Sequence, residues 1–395
     1  MEGTHKARVS SIDLLRGVVI ILMALDHVRM FFGQGTWWAE PTNLDTTTPL
    51  LFLTRWITHF CAPVFIFLAG TSAFLCGSRL PSARHLSLYL LKRGIWLIFL
   101  ELVIVNLSWT FDITFSLRFL QVIWAIGASM LILAGLVYLP RWTIAAFGLV
   151  LVLGHNLLDP IRMAGASIQA LIWYTLHQNQ VVAFAPNATV YFHYPLLPLV
   201  GLMALGYVLG GLYQPGFGAE RRQKWLLAMG AAAILSFLVL RGLNLYGDPN
   251  PWSPQRTVLY SILSFLNTVK YPASLHYLLM TIGPALVFLA LTERVDNRAA
   301  ELVLTFGRVS LFFYILHIYL IHLLALVAIR LAGRSWTEWI ITAQRFMSGS
   351  LADFGFDLYV VYIVWALLLA VMYPLCKWYR PYKKAHPENR LLTYI

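Results

Sequence analysis

Arg16 and His27 stand eleven positions apart inside the first long apolar run of the chain. At about 100° per residue, eleven steps make three full turns plus about 20°. A helix therefore carries both on one stripe that reads Arg16, Ile20, Met23, His27, with Asp13 one turn before the arginine and Asp26 beside the histidine. A guanidinium can hold an anionic group. An imidazole titrates near neutrality and can take a proton from a reacting hydroxyl or amine. Ionisable groups at such depth are costly in hydrocarbon, so the stripe is expected to face a bundle interior or a wet cavity. Each residue also has a plainer reading. A lone intramembrane histidine is often a hydrogen-bonded packing residue, and Arg16 can pair with Asp13 to hold helices together.

Further candidates collect at the His27 level. The second apolar run starts near Arg55 and carries His59 close to its start; running antiparallel to the first, it brings the two histidines level. Glu101 and Asn106 lie in the outer half of the third run, Asp112 and Arg118 in the loop after it, and His317 and His322 in the ninth. The expected catalytic group is His27 with Asp26, His59 and Glu101. Neighbours in a helix point about 100° apart, so Glu101 is better placed than Asp26 to orient the His27 ring. For an anionic donor the candidates are Arg16, Lys92, Arg93 and His317, the Lys92-Arg93 pair being the best phosphate site.

These residues need a scaffold, and composition supplies it. The chain has 395 residues, 59% hydrophobic and 12% charged, with mean hydropathy +0.70. Soluble domains carry about 25% charge, so the expected fold class is all-α, a polytopic bundle of about ten membrane spans in a single domain, 1–395. The runs lie near 12–32, 55–75, 86–109, 119–138, 142–158, 194–213, 225–243, 274–292, 309–332 and 359–379. The fifth is the weakest, because His155, Asn156 and Asp159 crowd its end, as in a half-helix.

Basic residues gather on the N-terminal side of the membrane: Lys6 and Arg8, then Arg79, Arg84, Lys92 and Arg93, later Arg221, Arg222 and Lys224, and finally the tail from Lys377 to Arg390. That asymmetry places both termini inside. It also accounts for the net charge of +12, so no nucleic-acid partner is expected. The first run starts like a signal peptide but is too long and lacks a small-residue cleavage site; it reads as a retained helix. The long connections, near 33–54, 159–193, 244–273 and 333–358, all fall outside, which favours an acceptor handled there; aromatic belts at the interface account for part of their Trp and Tyr content. Cys61, Cys76 and Cys376 form no disulfide framework and no zinc spacing, so no metal is expected. No GxSxG, Walker A, HExxH or dinucleotide-binding glycine pattern occurs. The glycines at 70, 77, 201, 206, 210 and 211 read as close helix packing. Asn187-Ala188-Thr189 fits a glycosylation sequon.

Two stretches carry a resemblance. Ser11-Ile12-Asp13-Leu14-Leu15-Arg16-Gly17 and Cys61-Ala62-Pro63-Val64-Phe65-Ile66-Phe67-Leu68-Ala69-Gly70-Thr71-Ser72 resemble the heparan-alpha-glucosaminide N-acetyltransferase catalytic-domain family and its bacterial relatives. The Arg16-to-His27 spacing resembles a motif of the wider membrane acyltransferase family 3, and Gly307-Arg308-Val309-Ser310-Leu311 with Tyr314 and His317 resembles a late-helix signature of both. The resemblance implies acyl transfer from cytosolic acetyl-CoA to a sugar or other small acceptor on the far side, with His27 as base and Arg16 structural or facing the donor. Two features differ from the resembled pattern. Lys92-Arg93 stands where family 3 carries Arg-x-x-Arg, and the first loop holds no histidine after His27. The expected function is an acetyl-CoA-dependent membrane acetyltransferase in the bacterial inner membrane, with lipid as surroundings and a homodimer among the partners considered. The alternative from another class is a transporter or flippase for a polar metabolite or lipid-linked sugar, using the polar layer as a proton relay; a catalytically dead scaffold is a third.

Overall fold

Each predicted apolar run lies mainly on helix, because runs this long without polar interruption satisfy their backbone groups by coiling. The computed structural model describes residues 10–35, 40–295, 297–349, 353–386, 388–389 and 392; Lys6, Arg8 and Arg390, used above for orientation, lie outside the described residues. The first run is α1 (Ser10–Phe32). The second is α2 (Pro49–Ile57) and α3 (Cys61–Gly77), fused by a 3₁₀ turn at Thr58–Phe60. The third is α4 (Ala83–Leu100), a π-helical turn at Glu101–Val105, and α5 (Asn106–Thr110). There follow α6 (Val122–Leu136), α7 (Arg141–Gly154), α8 (Ile168–Leu176), α9 (Leu197–Leu209), α10 (Ala219–Leu243), α11 (Val258–Leu266) and α12 (Leu275–Leu291). The last are α13 (Arg298–Gly307), α14 (Ser310–Leu331), α15 (Ala343–Ser348) and α16 (Leu358–Ala385).

Among the described residues, five stretches are long and apolar enough to cross a membrane: Pro49–Gly77, Arg141–Leu158, Ala219–Leu243, Ser310–Leu331 and Leu358–Ala385. The fifth predicted run is therefore a full-length stretch. Its polar end is a 3₁₀ turn, His155–Leu158, in which the Asn156 side chain accepts from the Leu275 amide at 2.9 Å and donates to Asp159 at 2.8 Å. α1 is central. Most of its length is buried, and it packs on α3, α13, α14 and α16. The α1–α13 approach is backbone to backbone, since a methyl group at Gly307 would collide with the Asp13 carbonyl and one at Gly17 with the Val303 carbonyl.

The expectation of an all-α chain is corrected at one end. A three-stranded sheet, order β1-β3-β2, is formed by β1 (Leu117–Leu120), β2 (Gln180–Ala185) and β3 (Ala188–Phe192). β2 and β3 are an antiparallel hairpin turning at Pro186-Asn187, and β1 joins β3 in parallel. β2 and β3 are rich in β-branched and aromatic residues, Val181, Val182 and Phe184 in one and Thr189, Val190, Tyr191 and Phe192 in the other, which favours the pleat over the helix. The start of the fourth predicted run, Phe119-Leu120, thus belongs to β1. Asn106 fixes that strand as a neighbouring backbone would: its amide donates to the Leu117 carbonyl and its oxygen accepts from the Phe119 amide, both at 3.0 Å. The β2–β3 hairpin, α8, α11 and α15 occupy the long connections read above as loops.

Candidate functional site

The α1 stripe passes two cavities. Arg16, Ile20 and Met23 line the first, of about 310 Å³. His27 and Met30 line the second, of about 300 Å³. Between them the rings of Tyr314 and Trp109 stand edge-on to the His27 ring, with centroids 6.1 and 4.9 Å away. Tyr314 belongs to the wall of the first cavity and Trp109 to that of the second.

The first cavity is mostly aliphatic, with Leu90, Leu97, Ile123, Ile126 and Met130 in its wall. Its cations are Arg16, Arg93 and Arg308. Arg16 donates to Asp13 at 3.1 Å and reaches across to the Ser72 hydroxyl of α3, so the ion pair and the cavity-lining position coexist. Arg308 pairs with Glu301 at 3.1 Å. Arg93 lines the cavity, whereas its neighbour Lys92 is exposed.

The second cavity is lined by charge and aromatic rings. Asp26 binds Arg29 at 2.9 Å and Arg55 at 2.6 Å, which commits its carboxylate to arginines rather than to the imidazole next to it. Lys270 and Glu40 add one charge of each sign. The sheet closes this end. In one register row, Val181 of β2, Tyr191 of β3 and Phe119 of β1 lie side by side, and all three line the cavity. Side chains repeat on a face every second residue, so Gln121 and His193, two positions on, line it as well. Burial and the charges of Lys270 and Arg55 push the His193 imidazole well below its usual value, which keeps it neutral.

Two histidines distant in sequence meet at the partition. His27 Nδ1 lies 2.7 Å from His317 Nε2, with the rings stacked at 5.0 Å. His317 Nδ1 lies 2.8 Å from the Phe313 carbonyl. A carbonyl only accepts, so His317 carries its proton on Nδ1 and, as a neutral ring, presents the Nε2 lone pair to His27. His27 then donates from Nδ1, and its own Nε2 is left as a lone pair. That is the tautomer a general base requires, set by a neighbour as in other histidine sites.

His59 and Glu101 are not brought to this point. His59 is buried beside Tyr277, ring centroids 5.5 Å apart. Glu101 is fully buried at the π turn and accepts from the Trp124 amide at 3.1 Å. Neither is part of either cavity wall. The sequence alone marked Arg55 only as the start of the second run and gave no role to Lys270 or Trp109. Lys270 and Tyr271 are positioned by Arg241 and Asp248. The buried Arg241 guanidinium donates to the carbonyls of Asn250, Ser264, Phe265 and Asn267 at 2.7–3.1 Å. Asp248 accepts from the Val269 amide at 2.9 Å and the Ser274 hydroxyl at 2.7 Å. No group of three His, Cys, Asp or Glu suited to a metal ion occurs among the described residues.

Residues 8–246 match a family model described as Heparan-alpha-glucosaminide N-acetyltransferase, catalytic. The match covers more than half of the chain and includes Arg16, His27 and Arg93; it ends before α14, which carries Tyr314 and His317. A search of curated proteins finds no match.

Proposed function

The chain belongs to the heparan-alpha-glucosaminide N-acetyltransferase catalytic family, and we propose that it transfers an acetyl group from acetyl-CoA, bound in the Arg16 cavity, to a sugar or other small acceptor in the His27 cavity. The observation that carries this reading is the stacking of the two cavities along one stripe of α1, with an imidazole of fixed tautomer between them. In this reading the chain crosses the membrane with about ten helices, both termini inside, which puts the Arg16 cavity on the cytoplasmic side.

Arg16, Arg93 and Arg308 suit the phosphates of the donor, and the aliphatic wall beyond them suits its thin thioester arm. His27 Nε2 takes the proton of the acceptor hydroxyl or amine as the acceptor atom bonds to the acetyl carbon. The carbon–sulfur bond breaks, the thiolate leaves toward the Arg16 side, and the proton held by His27 returns to it. The products are acetylated acceptor and free CoA. His317 holds the His27 ring and offsets the charge that develops on it. Aromatic walls with charged groups between them suit a polar ring such as a sugar.

The test is release of CoA thiol from acetyl-CoA by the purified protein, with glucosamine as acceptor. His27→Ala should retain donor affinity and lower turnover by about 10³-fold or more. Unchanged turnover in a folded His27→Ala protein removes the base role.

A further inference from the structure

The wall of the Arg16 cavity contains a hydroxyl group that folding does not use. Tyr314 is 4% exposed, lines the cavity, and among the described residues its hydroxyl proton finds no acceptor. The polar groups near it are the Glu101 carboxyl, which makes no hydrogen bond to it, and the Trp109 indole, which can only donate. The proton on the Tyr314 oxygen therefore has no acceptor. A buried donor left unmatched is a cost that phenylalanine at the same place would avoid. Such a group stands ready for something that enters the cavity.

Its position says what that is. Tyr314 lies one helical turn before His317 on α14, and its ring is edge-on to His27 across the partition. A thioester reaching the end of the Arg16 cavity must place its carbonyl beside the base that serves the acceptor. That carbonyl oxygen is a pure acceptor, the complement of the unmatched hydroxyl.

Taking acetyl-CoA as donor from the reading above, we propose that the Tyr314 hydroxyl donates a hydrogen bond to the thioester carbonyl oxygen and holds the negative charge that builds there. As the acceptor atom bonds to the carbon, the carbonyl π pair moves onto oxygen and is held by the Tyr314 hydrogen bond without transfer of its proton. When the pair returns, the carbon–sulfur bond breaks and the thiolate leaves. Donors aimed at developing oxyanions contribute about 10²–10³-fold in rate.

The experiment compares wild type with Tyr314→Phe in two ligands, acetyl-CoA and S-ethyl-CoA, which keeps the chain but has no thioester carbonyl. Wild type should bind acetyl-CoA about tenfold more tightly than S-ethyl-CoA, and Tyr314→Phe should bind both equally. The carbonyl stretch of acetyl-CoA labelled with ¹³C should shift to lower frequency in wild type and not in the variant. The variant should be at least as thermostable as wild type, since the lost hydroxyl had no acceptor. Retention of the preference by Tyr314→Phe, or its absence in wild type, overturns the assignment while leaving acetyl transfer standing. A variant that fails to fold also overturns it, by showing that the hydroxyl is structural. Wild type that binds neither ligand removes acetyl-CoA as donor, and this role with it.

Discussion

The two cavities are close in size and opposite in construction. The Arg16 cavity is walled by helices, α1, α3, α4, α6 and α14, whose side chains are mainly aliphatic. Backbone contacts at Gly17 and Gly307 fix the helix spacing beneath it, leaving no room for adjustment. The His27 cavity is completed by a sheet and by segments between helices, and its wall carries charges and rings. A rigid, mostly apolar wall with cations suits one invariant partner. Polar groups on segments outside the helical frame suit a partner that must be selected. On the proposed reading, donor specificity resides in the first wall and acceptor specificity in the second, a division that experiment can break.

The largest effect is expected at the boundary the cavities share. His317→Ala removes the group that sets the His27 tautomer, and turnover should fall by about 10²-fold with both Michaelis constants nearly unchanged. An unchanged kcat would show that His27 does not depend on its partner. A smaller and more discriminating effect comes from a crossed pair. Arg93→Ala should raise KM for acetyl-CoA about tenfold and leave that of the acceptor alone, and Lys270→Ala should do the reverse. If both variants move the same constant, the division of labour between the cavities is wrong.

The smallest effect concerns how the His27 end is held. Asp112, in the turn between α5 and β1, is buried, which works to raise its pKa. Hydrogen bonds from the hydroxyls and amides of Ser116 and Thr114, at 2.5–2.9 Å, outweigh this and lower it. A carboxyl lowered in the folded state stabilises above its unfolded value, about 3.9, and loses that contribution as pH falls through the folded value. Asp112→Asn should therefore cost on the order of 1 kcal/mol near pH 6, with the gap in thermal midpoint closing below about pH 4. A gap independent of pH would show that the carboxylate charge is not what holds this turn.

What could be read from the sequence follows from the range of each signal. The helices are legible because apolar length is a local property. The Arg16–His27 stripe is legible because the helical period is local as well. The sheet was not, since its strands span four to six residues and the β1–β3 pairing joins positions some seventy residues apart. Asp26 was legible as a neighbour of His27, but its arginine partner Arg55 comes from another helix. His317 stood out as a polar group in an apolar run. Its contact with His27 crosses 290 positions, and no local pattern encodes that. Lys92 and Arg93 are equivalent in sequence; only the helical phase, which turns one to the cavity and the other outward, separates them.

Arg241 has a consequence for motion. One guanidinium binds four carbonyls spread over Asn250–Asn267, so each carbonyl that lets go leaves a buried N–H without its acceptor. The stretch from Asp248 to Ser274 should open as a single cooperative unit or stay shut, and its amides should exchange with deuterium together, at one rate. Lys270 and Tyr271 ride on that unit. Ligands too bulky for the closed pocket would then meet an all-or-none barrier rather than a gradual penalty.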